Sequence, residues 1–195
     1  VCFDMDGTLI KMETINEIAN AIGIGKQMEE LTLRAMNGED DFRTNFLHRV
    51  KMLQGTPVAV LEELAGRMPY ANGLHNLMDA LLKKGIQTAV ITGNFSIFGK
   101  HLKNNFPFDH IYTTCAEVKD GILTGNICGD IIDAPAKSAI LLKICSENNI
   151  PLNCTLAIGD GANDIPLLAT AGAAIAYNAI TAKRGIDEII LPLIR

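Results

Sequence analysis

Gly85-Ile86-Gln87-Thr88-Ala89-Val90-Ile91-Thr92-Gly93 lies between two segments of helical period, and its reading decides the fold. The run Ile86 to Ile91 is β-rich and short, bounded by glycine, which predicts a buried strand. Leu74 to Lys84 before it carries a helical period that stops at Gly85, and roughly Phe95 to Asn105 carries that period again. The alternation continues with a strand at Asp109 to Cys115, a helix at Pro135 to Asn149 and a strand at Leu152 to Ile158. A helix after Asp164, a short strand at Ala173 to Ala176 and a final strand at Ile189-Ile190 complete it. Such alternation implies right-handed crossovers and an α/β, doubly wound, parallel Rossmann-like sheet. One stretch departs from it: Asp120-Gly121 sits between short apolar runs within Glu117 to Leu123 and predicts a β-hairpin.

Upstream, Val1-Cys2-Phe3 is a short apolar run that stops at Asp4, and Asp6-Gly7 supplies a turn. The period then becomes helical. Thr14-Ile15-Asn16-Glu17 reads as a capping box, with Ile15, Ile18, Ala19 and Ile22 on one face. Met28, Leu31 and Ala35 mark a second helix ending near Asn37-Gly38, and Phe42, Phe46, Val50 and Leu53 a third. Thr56-Pro57 reads as an N-cap followed by proline at the first position of a fourth helix. Residues from about 11 to 70 therefore form a small helical bundle in this reading.

With 195 residues the chain can build one full core with a smaller inserted module. Its formal charge of -5 argues against a nucleic-acid-binding surface. No apolar run reaches membrane-spanning length. Cys2, Cys115, Cys128, Cys145 and Cys154 are odd in number and contain no C-x-x-C pair, which fits reduced thiols in a cytoplasmic protein. The scattered histidines speak against a zinc site. Because the sequence opens inside an apparent strand without Met, residues or a removed targeting segment are expected to precede Val1.

In a doubly wound sheet, ligands bind outside the carboxyl ends of the strands. Asp4, Thr92-Gly93 and Gly159-Asp160 stand at three such ends. Asp4 and Asp6, two residues apart where a strand becomes a loop, suit one carboxylate that attacks phosphorus and one that protonates the leaving oxygen. Taken alone, Asp4-Met5-Asp6-Gly7-Thr8 reads equally well as a turn. The third acidic position and terminal Glu of a calcium EF-hand are lacking. Gly159-Asp160-Gly161-Ala162-Asn163-Asp164 forms a second acidic cluster of the kind Mg²⁺ prefers, or a glycine-rich turn with helix caps. A metal between Asp4 and Asp160 would neutralise their repulsion. Thr92 and Gly93 offer a hydroxyl and an open N–H at the mouth of a helix, and Lys137 a positive charge for phosphoryl oxygens. Arg49 lies seven residues after Phe42, on the same side of the third helix, and suggests a polar cleft rather than a sealed core.

The ordered set DMDGT, ITGN, Lys137 and GDGAND resembles the four motifs of the haloacid dehalogenase superfamily across essentially the whole chain. ETINEIA, the AMNG-to-LHRV region and VKDGILTG resemble its phosphoserine phosphatase family. The resemblance implies a catalytic core of residues 1–10 and 71–195, with a hairpin flap at about 115–131 and a helical cap at 11–70. It implies Asp4 as nucleophile and Asp6 as general acid and later base. Mg²⁺ would be held by Asp4, the Asp6 carbonyl and Asp160, with Asp164 supporting the shell. Thr92, Gly93 and Lys137 would hold the phosphoryl group, with Asn163 close by. Glu13 matches the position facing the substrate ammonium, Arg49 the one facing its carboxylate, and Met36 and Phe42 apolar positions that close over the site. Thr92 stands where Ser is common and Asn94 where a second Gly is usual, so the rim is expected to be crowded.

The expected activity is Mg²⁺-dependent hydrolysis of O-phosphoserine, a step of serine biosynthesis, by a monomer or homodimer with no nucleic-acid or membrane partner. A phosphatase for another small phosphomonoester and a phosphotransferase to an alcohol such as homoserine share this chemistry. A phospho-accepting receiver domain is the alternative of another class. Asp6 speaks against it, because a proton donor beside the nucleophile promotes turnover.

Overall fold

The computed structural model describes residues 1–36 and 41–177, apart from the side chains of Ala35, Met36 and Phe42. Its centre is a six-stranded sheet. The strands are β1 (Cys2–Phe3), β2 (Ala89–Phe95), β3 (His110–Lys119), β4 (Ile122–Cys128), β5 (Leu156–Gly159) and β6 (Ala173–Ala176), in spatial order β4-β3-β2-β1-β5-β6. Every pairing is parallel except β3 with β4. The first strand is thus the central one, and the chain builds outward on one side and then the other. That places a crevice at the carboxyl ends of β1 and β5.

Helices α1 (Thr14–Ala21), α2 (Gly25–Met36), α3 (Phe42–Met52) and α4 (Val58–Gly66) follow β1. Then come α5 (Leu74–Lys83), α6 (Ser96–Asn105), α7 (Ala134–Glu147) and α8 (Ile165–Thr170). Successive strand residues point to opposite faces, and the core divides accordingly. Phe3 and Val90 join Leu81, Phe98 and Leu102 of α5 and α6 on one face, in one cluster with Ile18, Met28, Val50 and Leu61 of α1–α4. Cys2, Ala89, Ile91 and Ala157 pack with Leu141, Ile144, Leu167 and Leu168 of α7 and α8 on the other. Both faces are covered, as a parallel sheet requires.

Several boundaries differ from those read in the sequence. The strand expected at Ile86 to Ile91 runs instead over Ala89–Phe95. The Thr88 N–H and hydroxyl are taken by the Asp109 carboxylate, at 2.8 and 3.1 Å, so the ladder begins one residue later. Its pairing with β3 shifts register between Ile91 and Phe95. Thr92-Gly93 therefore sits in the irregular end of a strand rather than at a helix mouth. In the strand expected from Leu152, Leu152–Cys154 is a 3₁₀ turn and β5 begins at Leu156. Pro57, not Thr56, caps α4; Thr56 donates its N–H to the Leu53 carbonyl and accepts from Leu123. The Asp120-Gly121 turn is as expected, with positive φ at both residues (52° and 75°), as a type I′ hairpin needs. The expected stop at Asn37-Gly38 and the strand at Ile189-Ile190 lie outside the described residues.

Candidate active site

Asp4 follows β1, and its N–H donates to the Ile158 carbonyl of β5 at 2.9 Å. This bond carries the ladder one step beyond the strand and fixes Asp4 beside the loop that follows β5. The Lys137 ammonium reaches Asp4 Oδ1 at 2.7 Å and Asp164 Oδ1 at 2.6 Å. All three side chains are buried, Lys137 and Asp164 at 1% and 0% exposure. Lys137 is held there because Asp133 caps α7, accepting from the Ala136 N–H at 3.0 Å, and starts the helix four residues earlier. The other oxygen of Asp164 accepts from the N–H groups of Asp160 and Gly161, both at 3.2 Å. Asp164 thus shapes the loop on which Asp160 stands.

Oxygens of Asp4, Asp160 and Asp164 lie within 4.8 Å of one another. An all-carboxylate set of this kind suits a hard divalent cation. Burial first, and then the Asp164 carboxylate, push the Asp4 pKa up to about 8 against the pull of Lys137. The same two causes raise Asp160 to about 6. For Lys137, burial works to lower the pKa, but Asp164 and Asp4 outweigh it and hold it above the usual range. One ammonium does not balance this much buried acid, and a bound cation would. Gly7 leaves room for the arrangement: its φ is +69°, and a Cβ there would fall 2.0 Å from Asp160 Oδ2.

Asp6 is held from two sides. Its Oδ2 accepts from the Thr14 N–H at 2.9 Å and the Thr14 hydroxyl at 2.7 Å, and its Oδ1 from the Asn94 amide at 2.8 Å. Burial raises its pKa despite these three hydrogen bonds, which lower it. The capping box read at Thr14 is not formed: Glu13 is the N-cap, without a side-chain bond, and Thr14 turns to Asp6 instead. Neither Thr14 nor Asn94 was identified as a contact of Asp6 by sequence pattern. In the sequence Asn94 stands out only as a departure from a motif, and a local spacing carries no signal for a bond across 88 residues.

These groups line a cavity of about 300 Å³. Asp4, Asp6, Thr92, Gly93, Asp160 and Asn163 stand at the sheet end of it, and Glu13 and Arg49 come from α1 and α3. Lys137 and Asp164 are not among its lining residues and reach it through the Lys137 bond to Asp4. Arg49 is 7% exposed. Its Nη1 donates to the Thr32 hydroxyl at 3.3 Å, and its guanidinium lies 5.8 Å from the Phe46 ring centre. Its buried Nε has no hydrogen-bond partner among the described residues. Burial, followed by the Asp6, Asp160 and Asp4 carboxylates, lifts the Glu13 pKa to about 8. Thr32 and Phe46 are further cavity residues that the sequence reading did not single out. The side chains of Met36 and Phe42 lie outside the described residues.

A family model of haloacid dehalogenase-like hydrolases matches residues 1–172. The chain belongs to that family. A phosphoserine phosphatase of Archaeoglobus fulgidus is 40% identical over 179 residues, 92% of this chain, of which this chain spans 52%. A phosphoserine phosphatase of Idiomarina loihiensis is 38% identical over 188 residues, 96% of this chain and 86% of that protein. The solved structure of a phospho-aspartyl intermediate analogue of phosphoserine phosphatase superposes with a TM-score of 0.88 at 34% identity, covering 97% of this chain and 89% of the other. The chain spans little more than half the length of the archaeal relative and of those from Saccharomyces cerevisiae and Vibrio cholerae, 52%, 58% and 55%.

Proposed function

We propose that the protein is a Mg²⁺-dependent phosphoserine phosphatase working through a phospho-aspartyl intermediate on Asp4. The observation that carries this is the pairing of Asp4, buried against Lys137, with Asp6 in one cavity beside Asp160. The helices α1–α4 act as a cap, the rest of the fold as the catalytic core, and the β3–β4 hairpin as a flap. Lys137 orients Asp4 and favours its carboxylate form against the burial that raises its pKa, and an oxygen of Asp4 attacks phosphorus while the phosphorus–serine oxygen bond breaks. Asp6, whose pKa burial raises, passes a proton to the departing serine oxygen. In the second half, Asp6 takes a proton from the water that attacks the phospho-aspartate, and phosphate leaves.

Thr92, the Gly93 amide and Lys137 hold the phosphoryl oxygens, with Asn163 at the edge. Asp4, the Asp6 carbonyl and Asp160 would hold Mg²⁺, while Asp164 supports the loop. When bound, the ion supplies positive charge against the phosphoryl oxygens. Glu13 faces the substrate ammonium and Arg49, with its spare Nε donor, the carboxylate. This reading makes the protein a cytoplasmic enzyme of serine biosynthesis. Among the described residues, no helix is long and apolar enough to cross a membrane.

The test is a panel of phosphomonoesters, with Mg²⁺ and then with a chelator, with and without acceptor alcohols. Phosphoserine is expected to be the best substrate, chelation to abolish turnover, and acceptors to leave serine and phosphate as the products. Asp4→Asn should show no turnover. Poor activity on phosphoserine, or a fully active Asp4→Asn variant, overturns the reading.

A further inference from the structure

The β3–β4 hairpin carries two of the five cysteines, and the ladder sets them directly opposite each other: Cys115 is the partner of Cys128. Both are exposed and free, and the Cys115 thiol donates to the Ala116 carbonyl at 3.8 Å. Directly opposed residues on antiparallel strands have Cα atoms about 4.5–5.5 Å apart and side chains on one face. A disulfide spans Cα separations of roughly 4.4–6.8 Å, so this opposition brings the pair within disulfide range.

Their place in the fold gives closure a consequence. Thr114, just before Cys115, is where β3 leaves its pairing with β2. Beyond the pair, Glu117 Oε2 accepts from the Thr124 hydroxyl at 2.5 Å and the Asn126 amide at 3.0 Å across the strands. The hairpin end is joined to the α3–α4 connection by backbone bonds, Gly55 N–H to the Leu123 carbonyl, Leu123 N–H to the Thr56 carbonyl and Val58 N–H to the Gly121 carbonyl, at 2.8–2.9 Å. That connection follows α3, which bears Phe46 and Arg49. The two cysteines therefore stand at the root of a ribbon that braces one wall of the cavity.

We propose that Cys115 and Cys128 are a redox modification site, forming a reversible disulfide that staples the hairpin at its root. With a small-molecule disulfide such as oxidised glutathione as oxidant, one cysteine thiolate attacks a glutathione sulfur and expels glutathione thiolate. The second cysteine thiolate then attacks the protein sulfur of the mixed disulfide and expels the other glutathione thiolate. The cysteines lose two electrons and two protons, and one glutathione disulfide becomes two glutathione thiols. The remaining thiols serve as internal controls, since Cys2 and Cys145 are buried and Cys154 is exposed without an opposed partner in the ladder.

The native chain is treated with oxidised glutathione, its free thiols are counted, and its peptides are mapped. The count is expected to fall by two, with Cys115 linked to Cys128. Cys115→Ser and Cys128→Ser, checked for unchanged melting when reduced, should give no internal bridge. Amide hydrogen exchange across Glu117 to Ile127 should slow several-fold on oxidation, recover with dithiothreitol, and stay unchanged in Cys128→Ser. An unreacted pair, glutathione adducts on both cysteines, or a bridge to Cys2, Cys145 or Cys154 overturns the proposal. So does a formed bridge that leaves exchange in the hairpin unaltered.

Discussion

Asn94 shows how one residue acquires a role through its neighbours. Its amide donates to Asp6 Oδ1 at 2.8 Å, and its own carbonyl accepts from the Phe95 N–H at 2.6 Å, so the side chain is fixed at both ends. With Thr14 it orients Asp6, the proton donor of the proposed mechanism. Asn94→Gly is expected to lower kcat on phosphoserine about tenfold, a part of what general acid catalysis contributes, with KM little changed. An unaltered kcat in steady-state assays would count against that role. In the proposed function Arg49 belongs to binding instead. Its guanidinium is stacked near Phe46 and held by Thr32, with Nε left over. Arg49→Ala should raise KM for phosphoserine roughly 10- to 100-fold, the loss of a charge-assisted hydrogen bond, while p-nitrophenyl phosphate, which has no carboxylate, is turned over almost as before. Equal losses on both substrates would remove Arg49 from substrate recognition.

At the scale of elements, Lys137 joins three parts of the fold: the end of β1 through Asp4, α7 through its own backbone, and the start of α8 through Asp164. All three groups are buried, so removing the ammonium leaves two buried carboxylates without their cation. Lys137→Ala is therefore expected to cost about 3–5 kcal/mol of stability in addition to activity, as broken buried ion pairs do. Urea unfolding measures it, and a change below about 1 kcal/mol would contradict the picture of a structural triad. The elements themselves were largely legible in the sequence. The helices α5 and α6, the hairpin turn and β6 stand where period and turn residues put them. The misplaced edges share a cause: at Thr88, Thr56 and Thr14 a side chain or backbone group is bonded to a residue outside its own element, and local period cannot register such a partner.

The whole molecule concentrates acid at one end of its sheet. Folding raises Asp4 and Glu13 to about 8 from ordinary values of 3.8 and 4.5, and Asp160 to about 6 from 3.8. The folded chain then binds more protons than the unfolded one between about pH 4 and 8, so stability falls as pH rises across that window. With metal removed, the melting temperature should decline from about pH 5 to pH 8.5, and millimolar Mg²⁺ should restore most of the loss at the upper end. A melting temperature that rises or stays flat over this range in chelator, or one that ignores Mg²⁺ at high pH, would show that the acidic cluster is not strained in this way.

The sequence by itself determined the alternation of strand and helix, hence the parallel sheet, and put Asp4, Thr92 and Asp160 at strand ends where ligands bind. Those are consequences of local period and of the two-fold alternation of a strand, which need no knowledge of remote contacts. Only the tertiary structure decided which charges meet. Lys137 could have been a solvated surface residue, and is instead sealed between Asp4 and Asp164, 133 and 27 positions away. The reach of Asn94 and Thr14 to Asp6, and the register that opposes Cys115 to Cys128, were settled in the same way. The reason is physical: burial and pairing arise between elements that the chain brings together only when the core closes, and they set both the pKa values and the geometry on which the proposed chemistry depends.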